Sequence, residues 1–151
     1  MKRSGEDIVI VFTEIIFQVG NAMRKPVVLL IDDERAYAEV IRDALQAYGI
    51  EVRLAHNAME ALEVYQQKIP DLILLDVMMP EIDGLTLLKW LREHSEKDQV
   101  KIHVVSAKAQ DKDRDAAIKA GADGFMAKPF TIEELKALIA RTLSNGRSHP
   151  N

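Results

Sequence analysis

The sequence predicts an α/β fold: a doubly wound parallel sheet of five strands in the order 2-1-3-4-5, with helices on both faces. Two observations support this fold class. The runs VVLLI at 27–31 and LILL at 72–75 are typical of strands buried on both faces, as in a parallel sheet covered by helices. From Val27 onward, strand-like and helix-like segments alternate, which is the pattern of successive βαβ units. The expected strand order places the first and third strands side by side.

The first helix and the second strand follow the strand at 27–31. Residues 34–48 carry their apolar side chains on one helical stripe, and Gly49 supplies the end of this helix. The segment EVRLA at 51–55 is the second predicted strand. Asn57 and Glu60 have the spacing of a capping box, so a second helix is expected to begin there and to lead into the third strand.

The second half of the chain continues the same alternation. Leucines at helical spacing follow Gly84, and a charged segment is ended by Gly121. Thr131 and Glu134 have the spacing of another capping box. The predicted elements are a helix from Gly84 to about residue 95, a strand at 101–106, a helix over 111–120, a strand at 124–127 and a last helix from Thr131.

Residues 23–143 are predicted to form one domain, between an N-terminal extension at 1–22 of uncertain structure and a polar tail at 144–151. A chain of 151 residues with 48% apolar content suits a single hydrophobic core. The apolar run at 8–19 is too short to span a bilayer as a helix, and acidic residues before and within it argue against a secretion signal. We therefore expect a cytoplasmic protein without a membrane span.

The composition excludes several classes of function. A formal net charge of −4, with lysines and glutamates interspersed, argues against a dedicated nucleic-acid surface. The absence of cysteine excludes disulfides and thiolate metal sites. The four histidines show no i, i+4 pair of the kind that zinc enzymes use.

Acidic residues stand at the ends of two predicted strands. Asp32 and Asp33 follow the first strand, and Asp76 follows the third. Ligands of parallel sheets bind at the carboxyl ends of the strands, where the strand order reverses, so these three carboxylates are expected to meet. Such a cluster repels itself unless a cation lies among its oxygens. Carboxylate oxygens suit a hard octahedral cation such as Mg²⁺.

Two further polar residues close strands at the same edge of the sheet. Ser106 ends the fourth strand, and Lys128 follows the fifth. A lysine ammonium neutralises an anion, a hydroxyl donates to a phosphoryl oxygen, and an aspartate can accept the phosphoryl group itself. Because phosphoryl transfer depends mainly on positioning and charge neutralisation, this edge is predicted to bind a phosphoryl group.

Four motifs at these strand ends resemble those of one family. They are LLIDDE at 29–34, LLDVMMPEIDG at 74–84, VVSA at 104–107 and FMAKPF at 125–130. In this order and spacing, the sequence resembles the receiver domain of bacterial two-component response regulators over about residues 25–143, and the resemblance implies the flavodoxin-like receiver fold.

The resemblance implies roles for the charged residues. Asp76 would accept the phosphoryl group. Mg²⁺ would be held by Asp32, Asp33, Asp76 and the main-chain carbonyl of Met78, with Asp33 the more direct ligand. Lys128 would contact the phosphoryl group.

The resemblance also implies a switch that reports phosphorylation. Ser106 would be the switch hydroxyl, and Phe125 the aromatic residue that rotates inward, at a place where some members have tyrosine. The peptide bond between Lys128 and Pro129 is expected to be cis. The surface formed by the fourth helix, fifth strand and fifth helix, about residues 109–143, would then change its preferred partner.

The implied partners are a sensor histidine kinase or phosphotransfer protein upstream and a target protein downstream. Only eight residues follow Leu143, so no effector domain is expected in this chain, and output would pass through protein contacts, as in stand-alone chemotaxis-type or relay receivers. We expect no direct binding to nucleic acid, and a monomer or a dimer that forms on phosphorylation. The chain is not expected to be an enzyme, apart from its own phosphorylation and dephosphorylation.

Three alternatives differ in class. A phosphatase of the haloacid dehalogenase type also uses a strand-end aspartate, but it needs a second acid two residues later, where this chain has Met78. A degenerate receiver would act as a constitutive binding module, which the intact set of site residues disfavours. A flavodoxin-like cofactor site would need a glycine-rich phosphate loop after the first strand, which the sequence lacks.

Overall fold

A computed structural model of the protein describes residues 25–80, 83–96 and 99–146. Within these residues, five strands form one parallel sheet in the order β2-β1-β3-β4-β5. The strands are β1 (Val27–Ile31), β2 (Glu51–Ala55), β3 (Leu72–Asp76), β4 (Lys101–Ser106) and β5 (Gly124–Ala127). The helices are α1 (Arg35–Gln46), α2 (Ala58–Gln67), α3 (Gly84–Glu93), α4 (Asp111–Lys119) and α5 (Ile132–Gly146). The predicted fold class and strand order are confirmed.

Several predicted boundaries differ from the structure by one to three residues. Helix α1 ends at Gln46 rather than at residue 48, because the N–H groups of Tyr48 and Gly49 bond three residues back instead of four, and Gly49 takes a positive φ of 81°. Helix α5 continues to Gly146, so the first three residues of the predicted tail are helical. The predicted extension at 1–22 and the rest of the tail lie outside the described residues.

Helices cover both faces of the sheet. Along β1, Val28 and Leu30 pack with α1 and α5, whereas Leu29 and Ile31 pack with α2, α3 and α4. Buried helix residues on the first face include Ile41, Leu45, Leu135 and Ile139, and those on the second include Ala61, Leu88, Leu91 and Ala117. Each fully buried leucine or isoleucine side chain contributes roughly 1.5–3 kcal/mol relative to leaving it exposed. Helices therefore hold the central strands in place from both faces of the sheet, and this packing fixes the positions of the residues at the strand ends.

Arg92 of α3 joins the loops that lead into β4 and β5. Its Nε donates to the carbonyl of Gly121 at 2.9 Å, and its Nη1 donates to the carbonyl of Val100 at 3.0 Å. Its Nη2 pairs with the Asp123 carboxylate, which also accepts the N–H of Ile102 at 2.8 Å. This network holds the amino-terminal edges of β4 and β5 in register, at the end of the sheet opposite the strand-end carboxylates.

His103 lies buried between β4, β5 and α5. A side chain at residue 124 would overlap its ring, so the ring occupies the space that Gly124 leaves. The Thr142 hydroxyl donates to the carbonyl of Leu138 at 2.7 Å, so its oxygen accepts the His103 Nε2–H at 3.1 Å. The neutral ring then presents an unprotonated Nδ1, for which the described residues offer no hydrogen-bond partner.

The surroundings of His103 oppose its protonation. Burial lowers the pKa of this histidine; the Asp123 carboxylate opposes that effect, while the positive charges of Arg141 and Lys101 add to it. Protonation would also place a second N–H where no acceptor is present among the described residues. The folded protein therefore favours the neutral ring.

We expect the stability of the protein to fall as the pH drops below about 6.5, the ordinary pKa of an unfolded histidine. Because the pKa of His103 is lower in the folded protein than in the unfolded chain, the unfolded chain binds a proton at this residue more readily. The free energy of unfolding should therefore fall by at most about 1.4 kcal/mol per pH unit. Urea unfolding at several pH values, followed by circular dichroism, measures this slope. A His103→Leu variant should have a shallower slope than wild type, whereas His94→Gln, at an exposed position, should not. Equal slopes in wild type and His103→Leu would contradict the assignment.

Among the described residues, no helix combines the length and apolar character that crossing a bilayer requires.

Candidate functional site

The three predicted carboxylates meet at the carboxyl edge of the sheet. Strands β1 and β3 pair with Ile31 opposite Leu75, so Asp32 and Asp76 are neighbours. One carboxylate oxygen from each of Asp32, Asp33 and Asp76 lies within 4.8 Å of the others. Asp32 and Asp76 are buried and Asp33 is exposed, so the cluster opens to solvent on the Asp33 side.

Backbone N–H groups orient the two buried carboxylates. Oδ1 of Asp32 accepts the N–H of Glu34 at 2.9 Å, and Oδ1 of Asp76 accepts the N–H of Met78 at 2.9 Å. The N–H of Asp32 donates to the carbonyl of Ala55, which ties the end of β1 to β2. Each buried aspartate thus keeps its Oδ2 for other contacts. Met78 lies beside the cluster through its N–H, and the role of its carbonyl as a metal ligand stays a prediction.

Lys128 supplies the cation of the site. Its Nζ lies 2.9 Å from Oδ2 of Asp32 and 3.4 Å from Oδ2 of Asp76, and 15% of its side chain is exposed. The N–H of Lys128 donates to the carbonyl of Ser106 at 2.9 Å, which joins the ends of β4 and β5. The bond from Lys128 to Pro129 is cis, as predicted.

The charged groups at this edge shift one another's pKa values. Burial raises the pKa of Asp76 and the charge of Asp32 adds to the rise, while the Met78 N–H and the Lys128 ammonium oppose it. Burial alone would lower the pKa of Lys128, but the hydrogen bond to Asp32 and the charges of Asp76 and Asp32 outweigh it, so the Lys128 pKa lies above its ordinary value. The Lys128 ammonium contacts Asp32 and Asp76, and with Asp33 the set holds three carboxylates and one ammonium, an excess of negative charge.

The donor atoms of the cluster fit a hard divalent cation. The oxygens of three carboxylates converge, one of them is exposed, and the described residues place no cysteine or histidine ligand among them. All-oxygen donor sets suit Mg²⁺ or Ca²⁺ rather than softer metals, and Mg²⁺ typically keeps several waters, which the open side allows. The residues present therefore fit the predicted Mg²⁺.

Ser106 and Phe125, the predicted switch pair, lie on the two strands beyond β3. Ser106 is fully buried at the end of β4, and its Oγ accepts the N–H of Lys108 at 3.0 Å. Phe125 of β5 pairs in register with Val104, and its half-buried ring lies 5.2 Å from the guanidinium carbon of Arg114. Ser106 closes β4 at the site edge, Phe125 lies two residues before the end of β5, and their switching roles stay predictions.

Two residues at the site were not assigned to it from the sequence. The ring of Tyr37 in α1 lies 4.9 Å from the Lys128 ammonium. His56 follows β2, and its Nδ1 lies 2.9 Å from the carbonyl oxygen of Asp32. Tyr37 belongs to the apolar stripe predicted for residues 34–48, and its position one turn after Asp33 is the signal that links it to the site.

A cleft of about 480 Å³ adjoins the exposed side of the carboxylates. Its lining residues are Asp33, Arg35, His56, Asn57, Ala58, Met59, Met79 and Pro80. The carboxylates are thus reached from a groove between the first turn of α1, the start of α2 and the loop after β3.

Comparisons with known proteins agree with this geometry. The sequence matches the family described as the response regulator receiver domain over residues 28–140. It is 43% identical over 119 residues to response regulator MprA of Mycobacterium ulcerans, which covers 76% of this chain and 50% of that protein. The chain therefore spans about half the length of the curated relatives it matches.

Solved structures show the same fold. A CheY-like receiver domain protein from Methanospirillum hungatei superposes with a TM-score of 0.75 at 25% identity, covering 81% of this chain and 96% of that one. A two-component response regulator from Clostridium difficile gives a TM-score of 0.77 at 27% identity, covering 82% of this chain and all of that one.

Proposed function

This chain belongs to the response regulator receiver domain family, and from that premise we propose that Asp76 accepts a phosphoryl group in a Mg²⁺-dependent reaction. Accepting a phosphoryl group is general for the family, and a receiver domain implies a histidine kinase as its partner. We propose a sensor histidine kinase or a phosphotransfer protein as the donor for this chain.

The observation that carries the proposal is the meeting of three carboxylates with one partly buried lysine. Among the carboxylates, the contacts favour Asp76 as the acceptor. Asp32 is 2% exposed, and both of its oxygens have close hydrogen-bond partners, in Glu34 and Lys128. In Asp76, Oδ1 accepts the N–H of Met78, while the contact that the described residues give Oδ2 is the longer one of 3.4 Å to Lys128.

The transfer requires one bond to form and one to break. We propose that Oδ2 of Asp76 attacks the phosphorus atom of a phosphohistidine, and that the phosphorus–nitrogen bond breaks with its electron pair staying on the donor imidazole. The Lys128 ammonium then neutralises the phosphoryl oxygens. Asp32, Asp33, Asp76 and the main-chain carbonyl of Met78 would hold Mg²⁺, which supplies further charge neutralisation when bound.

The phosphoryl charge is proposed to change a distant surface through Ser106 and Lys128. The backbone hydrogen bond between these residues already links the ends of β4 and β5. A new anion at Asp76 attracts the Ser106 hydroxyl. When this hydroxyl moves toward the phosphoryl group, the Phe125 ring repacks. The surface of α4, β5 and α5 then favours a different protein partner, which is a population shift set by a local charge. On this proposal the chain acts chemically only on itself.

Acetyl phosphate, a small phosphodonor, tests the proposal without the kinase. Incubation with acetyl phosphate and Mg²⁺ should add the mass of one phosphoryl group to the intact chain. The adduct should disappear in Asp76→Asn, since an amide oxygen is a poor nucleophile, and it should be lost from wild type when EDTA removes the metal. Asp71→Asn, which changes a buried aspartate at the other end of β3, is the matched control and should keep the adduct. An adduct of undiminished yield in Asp76→Asn would contradict the proposed function.

A further inference from the structure

We propose that Tyr37 is a positioning residue of the phosphoacceptor site, and that the face of its ring holds the Lys128 ammonium against Asp32 and Asp76. This inference rests on the proposed function, because it assigns Tyr37 a part in the same transfer. Neither the motifs of the sequence nor the carboxylate cluster implies this role.

The geometry gives the ammonium three contacts. Its Nζ lies 2.9 Å from Asp32, 3.4 Å from Asp76 and 4.9 Å from the centroid of the Tyr37 ring. A cation within about 6 Å of a ring centroid is attracted by the ring quadrupole, more strongly where water is excluded. Because only 15% of the Lys128 side chain is exposed, the ring takes a place that water would otherwise occupy. Two carboxylates and one ring face together fix the position of the charge.

Tyr37 is itself held in place from two sides. It belongs to α1, where the adjacent Ala38 is fully buried against the sheet. Its ring meets the ring of Phe130 edge-on, with centroids 6.2 Å apart and an interplanar angle of 63°. Phe130 comes directly after the Lys128–Pro129 dipeptide. The ring therefore connects α1 to the segment that carries the lysine.

A positioned lysine matters because its side chain is flexible. The ammonium is at the end of a flexible four-carbon chain, and it must face the phosphoryl oxygens when the acceptor attacks. Without the ring, the ammonium keeps its two carboxylate contacts but loses the ring contact that restricts its side-chain conformations. We therefore expect Tyr37→Leu, which removes the π face but stays apolar, to slow phosphorylation about three- to tenfold.

Phosphorylation rates with acetyl phosphate and Mg²⁺ on the full chain test the inference. Tyr37→Phe keeps the ring and should react close to the wild-type rate, whereas Tyr37→Leu and Tyr37→Met should both be slower. Tyr48→Leu is the matched control, because the Tyr48 ring lies 3.7 Å from the ammonium of Lys136 in a cation–π contact of the same kind away from the site. It should keep the wild-type rate, with folding of each variant checked by circular dichroism.

A double variant separates positioning from general damage. If Tyr37 acts through Lys128, then adding Tyr37→Leu to Lys128→Met should not slow phosphorylation any further. An equal loss in both backgrounds, or a wild-type rate in Tyr37→Leu alone, would overturn the inference.

A second measurement does not depend on phosphorylation. In protein labelled with ¹³C at lysine Cε, the Lys128 signal, assigned by its absence in Lys128→Met, should be shifted by the ring current of Tyr37. The shift should persist in Tyr37→Phe and vanish in Tyr37→Leu. If wild type takes no phosphoryl group, the proposed function fails, and this signal alone decides whether Tyr37 positions Lys128. An unchanged signal in Tyr37→Leu would overturn the positioning role.

Discussion

Replacing Lys128 by methionine is expected to slow phosphorylation by acetyl phosphate by about 10²- to 10³-fold, the usual cost of removing one group that stabilises transition-state charge. Lys128 places its ammonium 2.9 Å from Asp32 and 3.4 Å from Asp76, so its positive charge lies beside the carboxylate that would receive the phosphoryl group. Methionine keeps a long apolar stem without the charge. The loss also removes an influence that lowers the pKa of Asp76, so a smaller fraction of Asp76 would be the carboxylate that attacks.

The control for this prediction is Lys136, a buried lysine outside the site. Lys136 is 3% exposed and contacts a tyrosine ring, but it lies on α5 away from the carboxylates. Lys136→Met should therefore phosphorylate at the wild-type rate, as measured by intact mass over time. Equal rates in Lys128→Met and wild type would show that the transfer does not use the ammonium.

Replacing Arg92 by alanine is expected to destabilise the protein by about 3 kcal/mol, the lower end of the cost of breaking a buried ion pair. Both side chains of the Arg92–Asp123 pair are only 14% exposed. The substitution would leave the Asp123 carboxylate without its ion-pair partner and would remove the donors to the carbonyls of Gly121 and Val100. The amino-terminal edges of β4 and β5 would lose the group that joins them to α3.

A surface pair provides the comparison for Arg92. Arg42 pairs with Asp43 at 3.2 Å, but their side chains are 35% and 69% exposed, so Arg42→Ala should cost at most about 1 kcal/mol. Urea unfolding followed by circular dichroism measures both free energies. A loss in Arg92→Ala no larger than in Arg42→Ala would contradict the structural role of the network.

The parts of the fold that the sequence predicted depend on local patterns. The five strands and their order follow from short apolar runs and from the alternation of elements, and the structure confirms them. The capping box at Asn57 is half correct: Asn57 accepts the N–H of Glu60, but the Glu60 carboxylate accepts the N–H of His56 instead of that of Asn57. Reciprocal contacts of this kind depend on the turn that precedes the helix, which the spacing of two residues does not specify.

The features that the sequence did not predict join residues far apart in the chain. Tyr37 and Lys128 meet across 91 residues, and Arg92 and Asp123 across 31, in contacts set by the packing of helices on the sheet. The strand-end carboxylates were predictable because one topological rule places the ends of neighbouring parallel strands together. No comparable rule says which helix residue faces a given strand end, so the apolar stripe of residues 34–48 does not by itself place Tyr37 at the site.

The measurement that tests the central claim most directly locates the phosphoryl group. After incubation with acetyl phosphate and Mg²⁺, borohydride reduces an aspartyl phosphate at its acyl carbon, and peptide mass spectrometry then identifies the altered residue. The geometry of Asp32, Asp33, Asp76 and Lys128 predicts a single reduced position, Asp76, that depends on both acetyl phosphate and Mg²⁺. Reduction at Asp32 or Asp33, or at no residue of the folded wild-type chain, would contradict the account.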